Sequence, residues 1–160
     1  MRTNNATVKN IIVSVYFVLI VLAIVLATVF KAFSHLTSNP FLTFVIIFVG
    51  FLILFFSVHA ISKYFEYDSD GIKVVVINKG LLLSDHFNYR EHKIEFDKHR
   101  LVAFKFKNYS VYRSLTLYIK NSKGLVKKEI FNVTLLSKKK RRYIGQSLSK
   151  LVRSNTQSTH

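Results

Sequence analysis

Residues 11–30 read IIVSVYFVLIVLAIVLATVF, 20 positions without a charged side chain in which only Ser14, Tyr16 and Thr28 bring polarity. At about 1.5 Å of rise per residue, a helix of this length covers the roughly 30 Å hydrocarbon core of a bilayer. A secretory signal carries a shorter apolar region, about 7 to 15 residues, and then a small-residue cleavage site. Here a second apolar run follows almost at once, FLTFVIIFVGFLILFFSVHAI over residues 41–61. Both runs are therefore expected to remain as membrane helices. Asn39 and Pro40 suit the N-cap and first turn of the second one, since an Asn side chain accepts from orphan backbone N–H groups and Pro has none to offer. Only Lys31 to Pro40 separates the runs, and so short a link requires an antiparallel hairpin with its two outer ends on one side.

Charge outside the hairpin is distributed unevenly. The 160 residues hold 24 Lys plus Arg against 8 Asp plus Glu, yet half of them are hydrophobic and the mean hydropathy is +0.27. No acidic residue precedes Glu66, and only Arg2, Lys9 and Lys31 carry positive charge ahead of Lys63, which leaves 21 basic residues beyond that point. Arg2 and Lys9 before the first run and Lys63, Lys73 and Lys79 after the second outnumber Lys31 in the link, so basic-residue bias puts both termini on the cytoplasmic side. The chain has no Cys, which excludes disulfide frameworks, thiol nucleophiles and cysteine-ligated metal centres.

After Tyr64 the pattern changes to alternation punctuated by turn residues, the signature of short strands. Segments 65–68 and 72–78 flank Asp70-Gly71, read as a hairpin turn with Gly at positive φ. Further strands are expected at 81–83, 87–89, 101–107, 114–120 and 126–133. In the 101–107 segment Val102, Phe104 and Phe106 share one face. In the 114–120 segment Leu115, Leu117 and Ile119 share the core face, and Asn121 to Gly124 forms the next turn. Ser137 can cap a helix to about Val152 in which Ile144, Leu148, Leu151 and Val152 form one apolar stripe. The expected organisation is an N-terminal cytoplasmic tail over 1–10, a transmembrane hairpin over 11–62 with spans 11–30 and 41–61, a small all-β domain of about seven strands closed by a C-terminal helix over 63–153, and a disordered tail over 154–160.

Two spans followed by such a domain, with Asp70-Gly71-Ile72, Val74-Val75-Val76-Ile77, Gly80-Leu81-Leu82 and Phe87-Asn88-Tyr89 ahead of Ile94, resembles the bacterial pleckstrin-homology-like membrane proteins. Asn88 stands where members of that family often carry Pro. The resemblance implies two curved sheets or a partly open barrel with a C-terminal helix, a place in the bacterial inner membrane, and work as a binding or assembly module without catalysis or cofactor.

The run Lys138, Lys139, Lys140, Arg141 and Arg142 lies at the start of the expected helix, where the macrodipole disfavours each exposed cation by about 0.3 to 1 kcal/mol. A run retained at that cost points to anionic lipid headgroups, worth about 1 kcal/mol per basic residue near the surface. A solvated charged face that only sets topology is the alternative. Nucleic acid is disfavoured, because the Tyr and Phe of the strands are needed for a core and a membrane tether restricts access to chromosomal DNA or RNA. Phe41, Phe44, Phe48, Phe51 and Phe55 recur on one stripe of the second span, either facing lipid or forming a ridge for another membrane protein's helix, while Ala23 and Ala27 give the first span a small-residue face.

Glu66, Asp68, Asp70 and Gly71 copy the first half of a calcium loop, but Ile77 stands where the loop needs its bidentate Glu, so a hairpin is expected instead. The acidic turn also argues against inositol-phosphate recognition there. His35, His59, His86, His92, His99 and His160 form no ligand-spaced pair, and His59 suits an interfacial anchor. No nucleophile elbow or phosphate loop occurs. The functional expectation is a non-enzymatic membrane-anchored binding or scaffold protein, an accessory subunit of an inner-membrane assembly, without metal or cofactor and with oligomeric state open. The alternatives are an anionic-lipid-sensing module and a small oligomeric pore, the last weakened because neither span carries a charged residue.

Overall fold

The computed structural model of the chain describes residues 1–28, 39–80 and 91–157. Two compact units divide it, one over Thr7–Ala60 and one formed jointly by Met1–Ala6 and Ile61–His160. The element order is β1 (Arg2–Asn4), α1 (Thr7–Thr28), α2 (Pro40–Ile61), β2 (Lys63–Asp68), β3 (Lys73–Gly80), β4 (His92–Asp97), a 3-10 turn (Lys98–Arg100), β5 (Leu101–Asn108), β6 (Arg113–Lys120), β7 (Val126–Asn132) and α3 (Lys138–Gln157).

In the two-helix unit, α1 and α2 are each 22 residues long, and both are long and apolar enough to cross a membrane. Asn39 caps α2 as expected: its Oδ1 accepts from Phe41 N at 2.9 Å and its carbonyl from Thr43 N at 3.1 Å. The hydroxyls of Thr28 and Ser57 donate to carbonyls one turn earlier, Ile24 and Ile53, which satisfies them without water. Tyr16 donates to Leu54 O at 3.1 Å and meets the Phe55 ring edge-on at 5.7 Å. Large apolar side chains such as Ile11, Phe17, Phe41, Ile53 and Phe56 stay exposed. The first helix begins at Thr7, four positions before the expected span, and takes in Lys9. Its expected last residues, Val29 and Phe30, the link from Lys31 with His35, and the side chain of Ala27 lie outside the described residues.

The β unit consists of two antiparallel sheets, β1-β2-β3-β4 and β5-β6-β7, with α3 after the second. Its core joins both sheets and the helix: Phe65, Tyr67, Val74, Val76 and Phe96 from the first, Leu101, Leu115, Leu117, Ile119 and Phe131 from the second, and Val133, Leu136, Ile144 and Leu148 from the closing segment. Leu151 and Val152 pack against this cluster from the same helical stripe. The alternation read in β6 matches its core face, though Ser114 and Thr116 on the other face are also buried. Thr116 lies opposite Lys105 and Ile130 in the ladder, two longer side chains on flanking strands.

Five sequence expectations are corrected. Residues 1–10 are not a tail, because Arg2, Thr3 and Asn4 pair with Asp68, Tyr67 and Glu66 of β2. Residues 154–157 are not a disordered tail either: α3 runs to Gln157 because Asn155 Nδ2 donates to Lys98 O and Leu101 O, both at 2.8 Å. Residues 158–160, including His160, are outside the described residues, as are the strands expected at 81–83 and 87–89, while His92–Asp97 adds a strand that alternation alone did not mark. Val102 leaves the shared face with Phe104 and Phe106, since a register shift between Leu101 and Ala103 puts Leu101 opposite Ile119 and buries it while Val102 is exposed. Such a bulge moves one residue off the period-2 pattern. The turn after β2 is closed by Asp68 Oδ1 accepting from Asp70 N at 2.9 Å, and the positive φ among the described glycines is at Gly124, +79°, in the Asn121–Gly124 turn.

Candidate functional site

The fold gathers its most conspicuous chemistry at the end of the β unit where the chain leaves β1 for α1 and returns at Ile61. Three asparagines fix that end. Asn5, 2% exposed, donates through Nδ2 to Lys63 O at 3.0 Å and accepts through Oδ1 from Phe65 N at 2.9 Å, which locks β1 to β2. Asn132 Nδ2 donates to Ile61 O at 2.9 Å, and its Oδ1 accepts from Thr134 N at 2.9 Å. Asn78 Nδ2 donates to Tyr64 O and Asn132 O, and Asn78 Oδ1 accepts from Asn132 N, tying the two sheets together. Buried or half-buried amides whose oxygen and nitrogen are both hydrogen-bonded give such a junction a single geometry. None of the three stands in a recognisable motif, so sequence reading missed them. The only available signal was three Asn at the ends of strand-like segments.

Beside this junction, Glu66 is held by Arg2, whose Nε donates to Oε1 at 2.8 Å, and by the Tyr64 hydroxyl, which donates to Oε2 at 2.5 Å. Burial, and then the hydrogen bond and charge of Glu66, push the Tyr64 phenol up to about 12 because all three favour the neutral form. The calcium-like spacing therefore places Glu66 in an ion pair, away from any loop. Among the described residues no three His, Asp or Glu lie together as a metal ligand set.

The basic run is divided by the fold. Ser137 caps α3, accepting from Lys140 N at 3.3 Å and, through its carbonyl, from Arg141 N at 3.0 Å. Lys140 Nζ donates to Asn4 O at 2.6 Å, so this cation serves the strand that leads into α1. Arg141 Nη1 donates to Asn108 Oδ1 at 3.1 Å, and its Nε is buried without a hydrogen-bond partner among the described residues. Burial first, and then the neighbouring Arg113, lower the Arg141 pKa. Lys138, Lys139 and Arg142 remain exposed, with Lys139 Nζ 5.9 Å from the centre of the Tyr143 ring.

The phenylalanine stripe is divided as well. Phe41, Phe44 and Phe48 are exposed, and the last two rings stack at 6.3 Å. Phe51 is half-buried, and Phe55 is engaged by Tyr16, by Phe56 at 5.7 Å and by His59 at 6.2 Å. His92 stacks on Phe131 at 4.7 Å and bonds Glu129 at 2.9 Å. Burial would raise the Glu129 carboxyl, but hydrogen bonds from Lys127 and His92 outweigh it and hold the carboxyl below its usual range. His99 lies in the 3-10 turn, apart from this pair, and His86 is outside the described residues. No protein-family model, curated protein or solved structure matches the chain.

Proposed function

We propose that this chain is a membrane-anchored, non-enzymatic binding protein in which a pleckstrin-homology-like β unit is held on the cytoplasmic face of a bacterial inner membrane by the α1–α2 hairpin. Its task is that of an accessory or scaffold subunit of a membrane assembly. The observation that carries the reading is the β1–β2 pairing: strand 2–4 precedes the first apolar helix, strand 63–68 follows the second, and the two are neighbours in one sheet. An apolar hairpin inserted between paired strands has both outer ends at the same sheet, so a bilayer crossed twice would keep the β unit on one side. The 4-plus-3 antiparallel strands followed by a helix support the pleckstrin-homology-like assignment. The exposed Phe41, Phe44 and Phe48 support a docking role for α2.

Single cysteines test the placement, since the chain has none of its own. Ser34→Cys should react with an impermeant thiol reagent on intact cells and Ser122→Cys only after permeabilisation; the reverse pattern overturns the orientation. Co-purification in mild detergent tests the scaffold role. Phe44, Phe48 and Phe51 changed together to Leu should lose a helix-docked partner while insertion persists. A wild-type chain recovered alone as a monomer overturns it, and lipid sensing becomes the leading reading. That second reading is favoured by the Lys140 contact to Asn4, which sets the basic run beside the strand leading into α1.

A further inference from the structure

Between β5 and β6 the chain turns through Tyr109, Ser110, Val111 and Tyr112, with Asn108 and Arg113 paired at the base. The turn is closed by Tyr109 N donating to Tyr112 O at 2.8 Å. Its large side chains point away from the core: Tyr109 is 56%, Val111 65% and Tyr112 37% exposed, and the two tyrosine rings lie 6.2 Å apart. The unit has ample apolar core without them, so burial within the fold does not explain their presence. A turn exposed to water normally carries Gly, Asn, Asp, Ser or Pro, whereas this one presents two aromatics and a valine.

The location of the turn identifies what covers it. Its base is bound to the start of α3 through Asn108 and Arg141, and the next residue of α3 towards the N-terminus, Lys140, holds Asn4, three residues before α1 begins. On the other side Arg113 N donates to Thr134 Oγ1, Thr134 N donates to Asn132 Oδ1, and Asn132 holds Ile61 at the end of α2. The aromatic turn therefore shares one end of the β unit with both chain connections to the apolar helices. Lys138, Lys139, Arg142 and Tyr143, in the same first turns of α3 as Arg141, are exposed. The carboxylates Asp68, Asp70 and Asp97 belong to strand ends and turns at the opposite end.

We propose that the Tyr109–Tyr112 turn, together with Lys138, Lys139 and Arg142, is a docking face for the anionic lipid surface of the membrane that α1 and α2 anchor. The inference rests on the anchor reading given above and adds the residues and the ligand chemistry. Tyrosine suits the headgroup layer, where the ring lies against acyl chains and the hydroxyl stays hydrated. Val111 supplies an apolar tip, and the cations meet lipid phosphates at their sides. Because the face is tethered, weak contacts suffice: linkage makes docking intramolecular and raises the effective concentration of surface around it.

The chain has no Trp, so a single introduced indole reports its own surroundings. The full chain is reconstituted into vesicles with and without anionic lipid, carrying Tyr109→Trp, Val111→Trp, Leu125→Trp in the distal β6–β7 turn, or Leu22→Trp in α1. Positions 109 and 111 should emit to the blue and be quenched by acyl-brominated lipid when anionic lipid is present, while position 125 stays water-like. Lys138, Lys139 and Arg142 changed together to Glu should lower the docked fraction at least about tenfold, and salt should act in the same direction. Quenching at 22 without quenching at 109 or 111 overturns the docking face and leaves the anchor standing; no quenching at 22 overturns both. A blue shift at 109 and 111 without brominated-lipid quenching means a protein surface covers the turn, which also overturns the proposal. Quenching that ignores lipid charge, salt and the Glu substitutions overturns the anionic component. Two independent Trp positions guard against a local defect at either one.

Discussion

The two-helix unit and the β unit spend their apolar residues in opposite ways. Along α1 and α2 large hydrophobics such as Phe17, Leu42 and Phe44 stay exposed around the helices, while the few hydroxyls turn back on the helices' own carbonyls. In the β unit the same residue types converge inward, and polar side chains lock the junctions. A unit whose surroundings supply the apolar medium has no need of an inside, whereas one in water must build a core to offset the conformational entropy of folding. On the proposed anchor reading one chain contains two solutions, and substitutions of one chemical kind should have different consequences in each.

The largest contrast is expected from leucine truncation. Leu148→Ala opens a cavity at a fully buried position between α3 and the sheets, and should cost about 2 to 5 kcal/mol of β-unit stability. Leu42→Ala removes the same atoms from a side chain 48% exposed on α2, and should change β-unit stability by less than about 0.5 kcal/mol. Near-UV circular dichroism followed during denaturant unfolding of the full chain in detergent compares them. Equal losses would mean that the two units unfold as one and would end the distinction.

The next effect concerns the junction. Asn132→Ala removes partners from Thr134 N and the Ile61 carbonyl at once while the backbone of residue 132 keeps its bonds to Asn78, and an unmade buried hydrogen bond costs about 1 to 3 kcal/mol. The expected loss lies in that range, with faster amide exchange at Thr134 as the local signature. Unchanged exchange there would show that water replaces the side chain and that the junction is not locked by it.

What could be read from the sequence divides along the same line. Both apolar helices, the Asn39 cap, the Ser137 cap, the β6 core face and the Ile144–Leu148 stripe follow from local pattern, because each is fixed by residues close in sequence. Strand 2–4 was illegible: three polar residues have no period, and they become a strand only because β2, some 60 residues later, offers an edge and Glu66 offers Arg2 a partner. The Leu101–Val102 exchange was hidden by a bulge that shifts the pattern by one. In the candidate site the basic run was legible as charge, but its division into fixed Lys140 and Arg141 and exposed Lys138, Lys139 and Arg142 depends on where Asn4 and Asn108 arrive. The Tyr109–Tyr112 turn was passed over because aromatics near strands read as core.

The smallest effect is electrostatic and belongs to the β unit. Tyr64 donates to Glu66, which also holds Arg2, and its phenol is pushed up to about 12, by burial first and Glu66 second. An ordinary phenol in the unfolded chain ionises near pH 10. Between these values the unfolded state has lost the proton that the folded state retains, so unfolding becomes more favourable as pH rises. The contribution is complete below about pH 10 and disappears as pH climbs through about 12. Tyr64 is half-buried and still partly open to water, so solvent screening keeps the effect small. Tyr64→Phe should flatten this alkaline limb while leaving neutral-pH stability within about 1.5 kcal/mol of wild type, the worth of one hydrogen bond. Difference absorbance during alkaline titration checks the assignment directly: the wild type should show one tyrosine ionising late that the variant lacks. A limb of the same slope in both proteins would place the alkaline sensitivity elsewhere in the β unit.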